Sequence, residues 1–223
     1  GCKFVRIKRS KFLIKIPDAI TFDIAYLVGA ILGDGNLTIT NRKISKYPRV
    51  KIRIFNSSRK YLSSLSDMFE RSFCVRGKIY RKAFENCYVL DINNKIVWLY
   101  FVNVLGLKPK RKIFIEVPEL LTNRKFFHYF LAGLFDTDGF FDNRGIFGIM
   151  LSGRNIQFLR NIQKICKNLY NFEFHGPHIS ELTVQKNVYT RVQINLKKTQ
   201  SKNFKELVPL IHPKYKNKLM VLD

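Results

Sequence analysis

Residues 131–139 read Leu131-Ala132-Gly133-Leu134-Phe135-Asp136-Thr137-Asp138-Gly139, an apolar segment that stops at an Asp-Gly pair. Residues 27–35 read Leu27-Val28-Gly29-Ala30-Ile31-Leu32-Gly33-Asp34-Gly35 and stop at the same pair. The two copies share one register, since 138 − 34 = 104 and 133 − 29 = 104. A repeat at this distance predicts two copies of one half-domain, each with its own acid at the end of an apolar segment.

The repeat continues beyond these motifs. Residues 104 positions apart match again in Pro109, Lys110 and Lys112 against Pro213, Lys214 and Lys216. Several matches at one offset favour duplication over chance. We therefore predict half-domains at 1–107, which includes a basic N-terminal arm, and at 125–223, joined by a linker at 108–124.

Hydrophobic periodicity predicts the same order of elements in both halves: helix, two strands, helix, two strands, helix. The first half is predicted to have helices at 22–32, 59–72 and 96–105 and strands at 37–42, 49–54, 76–82 and 88–92. The second is predicted to have helices at 125–136, 155–170 and 201–207 and strands at 140–142, 146–152, 179–185 and 189–197. Gly35 is expected to end the first motif helix as its C′ residue. The predicted class is α+β, with two pseudo-symmetric αββαββα half-domains.

Composition favours a polyanionic partner. Lys and Arg exceed Asp and Glu by 40 − 16 = 24. Nucleic acid is the leading candidate, because phosphate contacts with Lys and Arg dominate such affinities, although a ribosomal protein or a membrane-surface binder could show the same charge. No stretch approaches the roughly 18 apolar residues of a membrane span, so we expect no membrane partner. Four scattered cysteines without a CxxC pair predict buried free thiols in a reducing intracellular compartment, such as a prokaryotic cytoplasm or an organelle matrix.

Cationic side chains alternate with apolar ones along several predicted strands. In the strand at 49–54 the cations fall on one face and the β-branched residues on the other. Polar residues on such faces are assigned to nucleic-acid binding: Thr38, Thr40, Arg49, Lys51, Arg53, Lys78, Tyr80, Lys82, Arg191, Gln193, Asn195 and Lys197. Arg can pair with guanine and Gln or Asn with adenine, whereas Lys suits phosphates. Alternation does not say which residue does which, and a solvated sheet face is the alternative.

The motifs themselves predict a metal centre. Each has small residues one helical turn apart, at Gly29 and Gly33 and at Gly133 and Thr137. Such faces permit close helix–helix approach, which would bring Asp34 and Asp138 together at two helix C-termini. Two carboxylates at negative dipole ends disfavour each other. A Mg²⁺ ion resolves that conflict, and a carboxylate–metal centre in so basic a chain suggests phosphodiester hydrolysis.

The remaining motif acid, Asp136, has Leu32 as its counterpart. A site shared by both halves therefore does not depend on it, and we predict local capping or polar packing. For either Asp-Gly pair alone, a helix-ending turn would be the better interpretation. The repeat register and the charge favour catalysis for the pair.

At these two motifs the chain resembles the LAGLIDADG homing endonuclease family. The second copy departs from that signature at Phe135 and Thr137, and the first keeps Leu27, Gly29, Asp34 and Gly35. The resemblance implies a single-chain, monomeric endonuclease whose two antiparallel sheets form a DNA-binding saddle over duplex DNA. It implies double-strand cleavage with Mg²⁺, for which Mn²⁺ substitutes, while Ca²⁺ binds without supporting cleavage.

The resemblance also implies roles for individual residues. Asp34 and Asp138 correspond to the metal ligands, and the carbonyl groups of Gly33 and Thr137 to further metal contacts. The family adds a basic and a polar residue in each half, for which this chain offers Lys112, Lys216, Asn56 and Ser152. For the lysines, plain phosphate contact or a solvated linker is an equal alternative. For Asn56 and Ser152, which precede predicted helix starts, helix capping competes with the positioning of water.

Three functions fit this pattern. The first is an intron-encoded, site-specific DNA endonuclease. The second is an RNA maturase on the same fold, with intron RNA as partner, and the sequence does not separate these two. A non-cleaving DNA-binding regulator is the third, and the retention of both acids argues against it, because binding alone needs no paired carboxylates.

Overall fold

Each half of the chain builds an antiparallel sheet that follows directly on a motif helix. The computed structural model describes residues 1–6, 13–40, 48–83, 85–109, 115–152, 155–184 and 187–216. The first half consists of β1 (Cys2–Arg6), β2 (Leu13–Pro17), α1 (Phe22–Asp34), β3 (Gly35–Thr40), β4 (Arg49–Asn56), α2 (Arg59–Phe73), β5 (Lys78–Arg81), β6 (Tyr88–Ile92) and α3 (Lys95–Leu99). The second consists of α4 (Arg124–Asp138), β7 (Gly139–Phe141), β8 (Phe147–Ser152), α5 (Ile156–Tyr170), β9 (Phe174–Val184), β10 (Asn187–Leu196), α6 (Ser201–Leu207) and α7 (Pro213–Lys216).

The two main sheets have the same topology. The first has the strand order β3-β4-β6-β5 and the second β7-β8-β10-β9, and all neighbouring strands are antiparallel. The αββαββα order is confirmed in both halves, and with it the α+β class. The boundaries at 107, 124 and 125 stay a prediction. Among the described residues, no helix is both long and apolar enough to cross a bilayer.

The motif helices α1 and α4 pack against each other through their small residues. A methyl group at Gly29 would overlap the Phe130 carbonyl oxygen, and one at Gly133 would overlap the Tyr26 carbonyl oxygen. These contacts are related by the repeat, since 130 − 26 = 104 and 133 − 29 = 104. The helices therefore cross with backbone against backbone around a pseudo-twofold axis, as the small-residue faces predict.

The glycine after each motif acid is required for space. The backbone of Gly35 is extended, with φ −96°, and β3 begins at this residue without a left-handed turn. A methyl group there would stand 2.6 Å from Ile31 Cα, and one at Gly139 would stand 2.7 Å from Phe135 Cα. Each motif helix can therefore continue directly into the first strand of its sheet only because the residue at the junction has no side chain.

Besides the conformation of Gly35 and the start of β9, which lies at Phe174 and not at 179, three predictions differ from the structure. The N-terminal arm is partly a hairpin, in which β1 pairs with β2 and Ile14 is buried in the core; residues 7–12 lie outside the described part. The predicted helix at 96–105 is α-helical only to Leu99 and continues as a wider π-helical turn at Tyr100–Val104. The four cysteines are free, but only Cys166 is buried and Cys74 is exposed.

Candidate active site

The two motif acids lie next to each other where α1 and α4 end. Asp34 is the last residue of α1, and Asp138 is the last residue of α4. A methyl group at Gly33 would stand 2.8 Å from Asp138 Oδ2 and would overlap the Thr137 side chain. Because Asp34 directly follows Gly33, the two acids lie close together at the ends of α1 and α4.

The surroundings of these acids suit a hard divalent cation. Both carboxylates are half-buried at helix C-termini, where backbone carbonyl groups carry partial negative charge. Mg²⁺ takes carboxylate, carbonyl and water oxygens as ligands, and the first two are present here. Within the described part of the chain, no group of three or more His, Cys, Asp or Glu side chains could hold a metal ion, so a site here would depend on two carboxylates together with carbonyl and water oxygens.

Asp34 is contacted by an amide at the end of β4. Asn56 Nδ2 donates a hydrogen bond to Asp34 Oδ2 at 3.2 Å. The oxygen of the same amide accepts the backbone N–H of Ser58 at 2.9 Å, and His212 Nε2 lies 2.9 Å from it. Asn56 therefore supports the turn before α2, while Ser58 is the residue that caps this helix. The contact of Asn56 with Asp34 is shown, and its role in positioning water stays a prediction.

Asp136 is buried and joins α1 to the segment before α7. Its Oδ2 accepts hydrogen bonds from the Tyr26 hydroxyl and from the backbone N–H groups of Ile211, at 2.8 Å, and His212, at 3.2 Å. Burial raises the pKa of Asp136 to about 6, although these three donors act against the shift. The predicted role in polar packing is confirmed.

His212 is a buried histidine that the sequence analysis did not single out. Its ring lies 4.6 Å from the Tyr61 ring, between centroids, and its Nδ1 accepts the backbone N–H of Lys214 at 3.0 Å. Burial lowers the pKa of His212 to about 4, and the positive charge of Lys214 acts in the same direction. At neutral pH the imidazole is therefore uncharged.

Lys214 is a second residue to which the sequence analysis assigned no role at the site. Its Nζ donates to the carbonyl groups of Thr137, at 3.2 Å, and Gly139, at 3.0 Å, on either side of Asp138. The Thr137 carbonyl predicted as a metal contact thus already accepts one hydrogen bond, although a carbonyl has two lone pairs. The sequence did indicate that Lys214 could matter, because Lys214 and Lys110 are related by the same 104-residue offset as the two acids.

Three of the predicted site residues have no described side chain. Lys112 lies outside the described residues. Lys216 ends α7 and Ser152 ends β8, but their side chains are also outside the described part. Their predicted roles stay predictions.

The polar face of the first sheet is organised around an acid. Arg53 and Lys78 are both paired with Asp91 in the strand register. Lys51 forms an ion pair with Asp91, and Arg53 Nε lies 4.0 Å from the same carboxylate oxygen. The predicted alternation is confirmed in β4, whose Val50, Ile52 and Ile54 are buried. Thr38 and Thr40 of β3 are register partners of Lys51 and Arg49 and thus share this face.

The second sheet carries a similar polar row. Arg191, Gln193 and Asn195 alternate along β10 with the buried Val192 and Ile194. The pairing of β10 with β9 is irregular between Gln193 and Asn195, which displaces the row locally. This sheet therefore offers one cation and two amides where β4 offers three cations.

The outer members of the predicted binding set lie at strand ends. Tyr80 is exposed on β5. Lys82 follows that strand and pairs with Glu85 at 2.5 Å, and Lys197 follows β10 and pairs with Glu173. The predicted roles of these residues in DNA binding stay predictions.

Comparison with solved structures identifies homing endonucleases. The homing endonuclease I-DmoI in complex with DNA and Ca is 20% identical, with a TM-score of 0.63 over 89% of this chain and 97% of that chain. The homing endonuclease I-WcaI, bound to its DNA recognition sequence, is 18% identical, with a TM-score of 0.60 over 91% of this chain and 88% of that chain. No protein-family profile matches, and no curated protein matches by sequence. The similarity establishes the fold.

Proposed function

We propose that this chain is a single-chain, site-specific endonuclease of the LAGLIDADG type, which cuts both strands of duplex DNA with the help of divalent metal ions. The observation that carries the proposal is the closeness of Asp138 Oδ2 to Gly33, the residue directly before Asp34, at the α1–α4 interface. Each acid is followed at once by the first strand of a sheet with a polar face. One molecule therefore presents an acid to each strand of a duplex, so a monomer suffices.

The donor set at the helix ends fits Mg²⁺. Asp34 and Asp138 would hold the ion, with the carbonyl oxygens of Gly33 and Thr137 beside them. A bound divalent cation activates water for attack on the phosphodiester and stabilises the leaving oxygen. We expect Mn²⁺ to substitute and Ca²⁺ to bind without supporting cleavage, in keeping with the I-DmoI structures determined with DNA and Mn and with DNA and Ca.

The chain's own residues orient the acids and bind the duplex. Asn56 holds one oxygen of Asp34, while Lys214 places a positive charge beside Asp138. The cationic and amide side chains of the two sheets suit phosphates and base edges in the major groove. The excess of 24 positive charges favours rapid, salt-dependent association with DNA.

A cleavage selection tests this proposal. A randomised duplex library is incubated with the protein and Mg²⁺, in parallel with Ca²⁺, and the new DNA ends are sequenced. We expect double-strand cuts at one motif with Mg²⁺ only. If that motif spans an intron insertion site, the origin in a homing intron is supported as well.

The acids are tested on the selected duplex. Asp34→Asn and Asp138→Asn should each abolish double-strand cleavage and leave DNA affinity in Ca²⁺ close to that of the wild type. Asp67→Asn is the matched control, because this exposed acid lies on α2 and pairs with Arg76. Full double-strand cleavage by either motif variant would refute the catalytic assignment.

A further inference from the structure

A chain of hydrogen-bonded groups links the end of the second half to the acid of the first motif. The backbone N–H of Lys214 lies 3.0 Å from His212 Nδ1, and His212 Nε2 lies 2.9 Å from Asn56 Oδ1. Asn56 Nδ2 then lies 3.2 Å from Asp34 Oδ2. His212 and Asn56 are 156 residues apart in sequence, so the C-terminal half contributes a side chain to the surroundings of the N-terminal acid.

Two backbone N–H groups fix the direction of every hydrogen bond in this chain. The N–H of Ser58 donates to Asn56 Oδ1, so the amide nitrogen, not the oxygen, faces Asp34. An amide oxygen only accepts, and His212 Nε2 must therefore carry a proton. From the other end, the N–H of Lys214 requires an unprotonated Nδ1. The contacts at both ring nitrogens therefore require the same neutral tautomer, with the proton on Nε2. In this state His212 can hold the Asn56 amide in a single orientation.

His212 is itself fixed from two other directions. Its backbone N–H donates to Asp136 Oδ2 at 3.2 Å, and its ring packs against Tyr61. The residue is 8% exposed. A side chain whose rotamer is locked by packing can in turn hold a neighbouring group in a productive geometry.

We propose that His212 is a positioning residue for Asp34, and that its Nε2–H locks the Asn56 amide so that Nδ2 points at the carboxylate. The inference rests on the proposed endonuclease function and adds to it a residue from the opposite half. Loss of such an outer partner of a metal-binding group typically lowers metal affinity or activity by about 10–100-fold.

Two substitutions separate this role from packing. In His212→Gln the side-chain amide reaches about as far as Nε2 does in the wild type and can still donate to Asn56 Oδ1. In His212→Asn the shorter amide reaches only about as far as Nδ1, so it can accept the backbone N–H of Lys214 but cannot contact Asn56. We expect His212→Asn to slow single-turnover cleavage of the selected duplex with Mg²⁺ by about 10–100-fold. His212→Gln should stay near the wild-type rate, and both variants should bind the duplex in Ca²⁺ as the wild type does. Equal rates in the two variants, whether fast or slow, would overturn the positioning role.

A second readout does not depend on cleavage. Long-range ¹⁵N–¹H spectra of the wild type at pH 7 should show His212 protonated at Nε2 and bare at Nδ1. The side-chain NH₂ signals of Asn56 should shift in His212→Asn and stay in place in His212→Gln. The opposite tautomer, a charged ring, or an Asn56 response that does not distinguish the variants would overturn the inference. If the wild type cuts no duplex, the proposed function fails, and these spectra alone decide whether His212 orients Asn56.

Discussion

Replacing Gly29 by alanine should separate the two motif helices and thereby damage the site without touching it. A methyl group at this position would stand 2.7 Å from Leu134 N and 3.1 Å from Gly133 C, besides overlapping the Phe130 carbonyl oxygen. All three are backbone atoms of α4, so no rotamer change can make room. The helices must move apart, or one of them must bend.

The size of the effect follows from those distances. Carbon contacts are most favourable at about 3.5–4.0 Å, so α1 and α4 must separate by at least about 1 Å. Overpacking of this kind costs about 1–3 kcal/mol, while alanine regains about 1 kcal/mol over glycine in helix propensity. We therefore expect a net loss of up to about 2 kcal/mol in the free energy of unfolding. A misplacement of about 1 Å between reacting groups can lower the cleavage rate by about 100-fold.

Urea unfolding and single-turnover cleavage measure the two consequences. Gly133→Ala, whose methyl group would stand 2.9 Å from Ala30 N, should reproduce both effects from the other helix. Ser63→Ala places alanine on the exposed side of α2 and should unfold and cleave as the wild type does. If Gly29→Ala unfolded at the wild-type urea midpoint and cut at the wild-type rate, backbone contact between the motif helices would not be what holds the acids together.

Two further changes test the charges. Asp91→Asn releases Lys51 and Arg53 from their shared acid, so non-specific DNA binding should tighten. The slope of log affinity against log salt concentration should steepen by about one unit. Filter binding at several salt concentrations measures this slope, and equal slopes for Asp91→Asn and the control Asp67→Asn would contradict the prediction. Folding lowers the pKa of His212 from 6.5 to about 4. Between these pH values the unfolded chain therefore binds more protons than the folded chain. The contribution of neutral His212 to the free energy of unfolding is complete above pH 6.5 and is lost as the pH falls towards 4. Between pH 7 and pH 5 the free energy of unfolding of the wild type should therefore fall by about 1–2 kcal/mol more than that of His212→Gln. Urea unfolding with a chelator present measures this difference. Unfolding free energies that change with pH in the same way in both proteins would refute the assignment.

The repeat made the fold predictable. Once Asp34 and Asp138 were placed in one register, helical and strand periodicities had to agree between the halves, and each half checked the other. The N-terminal hairpin lies before the repeat and lacked such a check. Its Ile14 is buried because β2 packs on α2, a contact that depends on tertiary structure and leaves little trace in five residues.

The first acid and its neighbour Asn56 could be located from the sequence, but His212, which contacts Asn56, could not. Local spacing places Asp34 at a helix end, because small residues and the Asp-Gly pair act within one turn. His212 is 178 residues further along the chain than Asp34 (212 − 34 = 178). Nothing in the residues around it distinguishes it from an ordinary core histidine. Such contacts depend on how the halves dock, and only the three-dimensional structure supplies that.

The sequence predicted which strand face carries the cations, but not which of these cations are already paired with an acid. Alternation correctly places Lys51 and Arg53 on the polar face of β4, because strand geometry alone sets the face. The sequence analysis assigned no role to Asp91, which lies on the neighbouring strand and binds both. A charge count along one strand therefore overstates the positive charge available to a ligand, because cross-strand pairs neutralise part of it.

The duplication supplies two similar acids, but the described contacts around them are unequal. The counterpart of His212 in the repeat is Lys108, since 212 − 108 = 104, and Lys108 is exposed and lies 3.8 Å from Glu116. The counterpart of Asp136, which anchors the backbone of His212, is the apolar Leu32. Asp136 on α4 and His212 directly before α7 thus give the second half a polar connection, through Asn56, to Asp34. Because Asp136 holds the backbone of His212 and the His212 ring contacts Asn56, the surroundings of the first acid include residues of the second half.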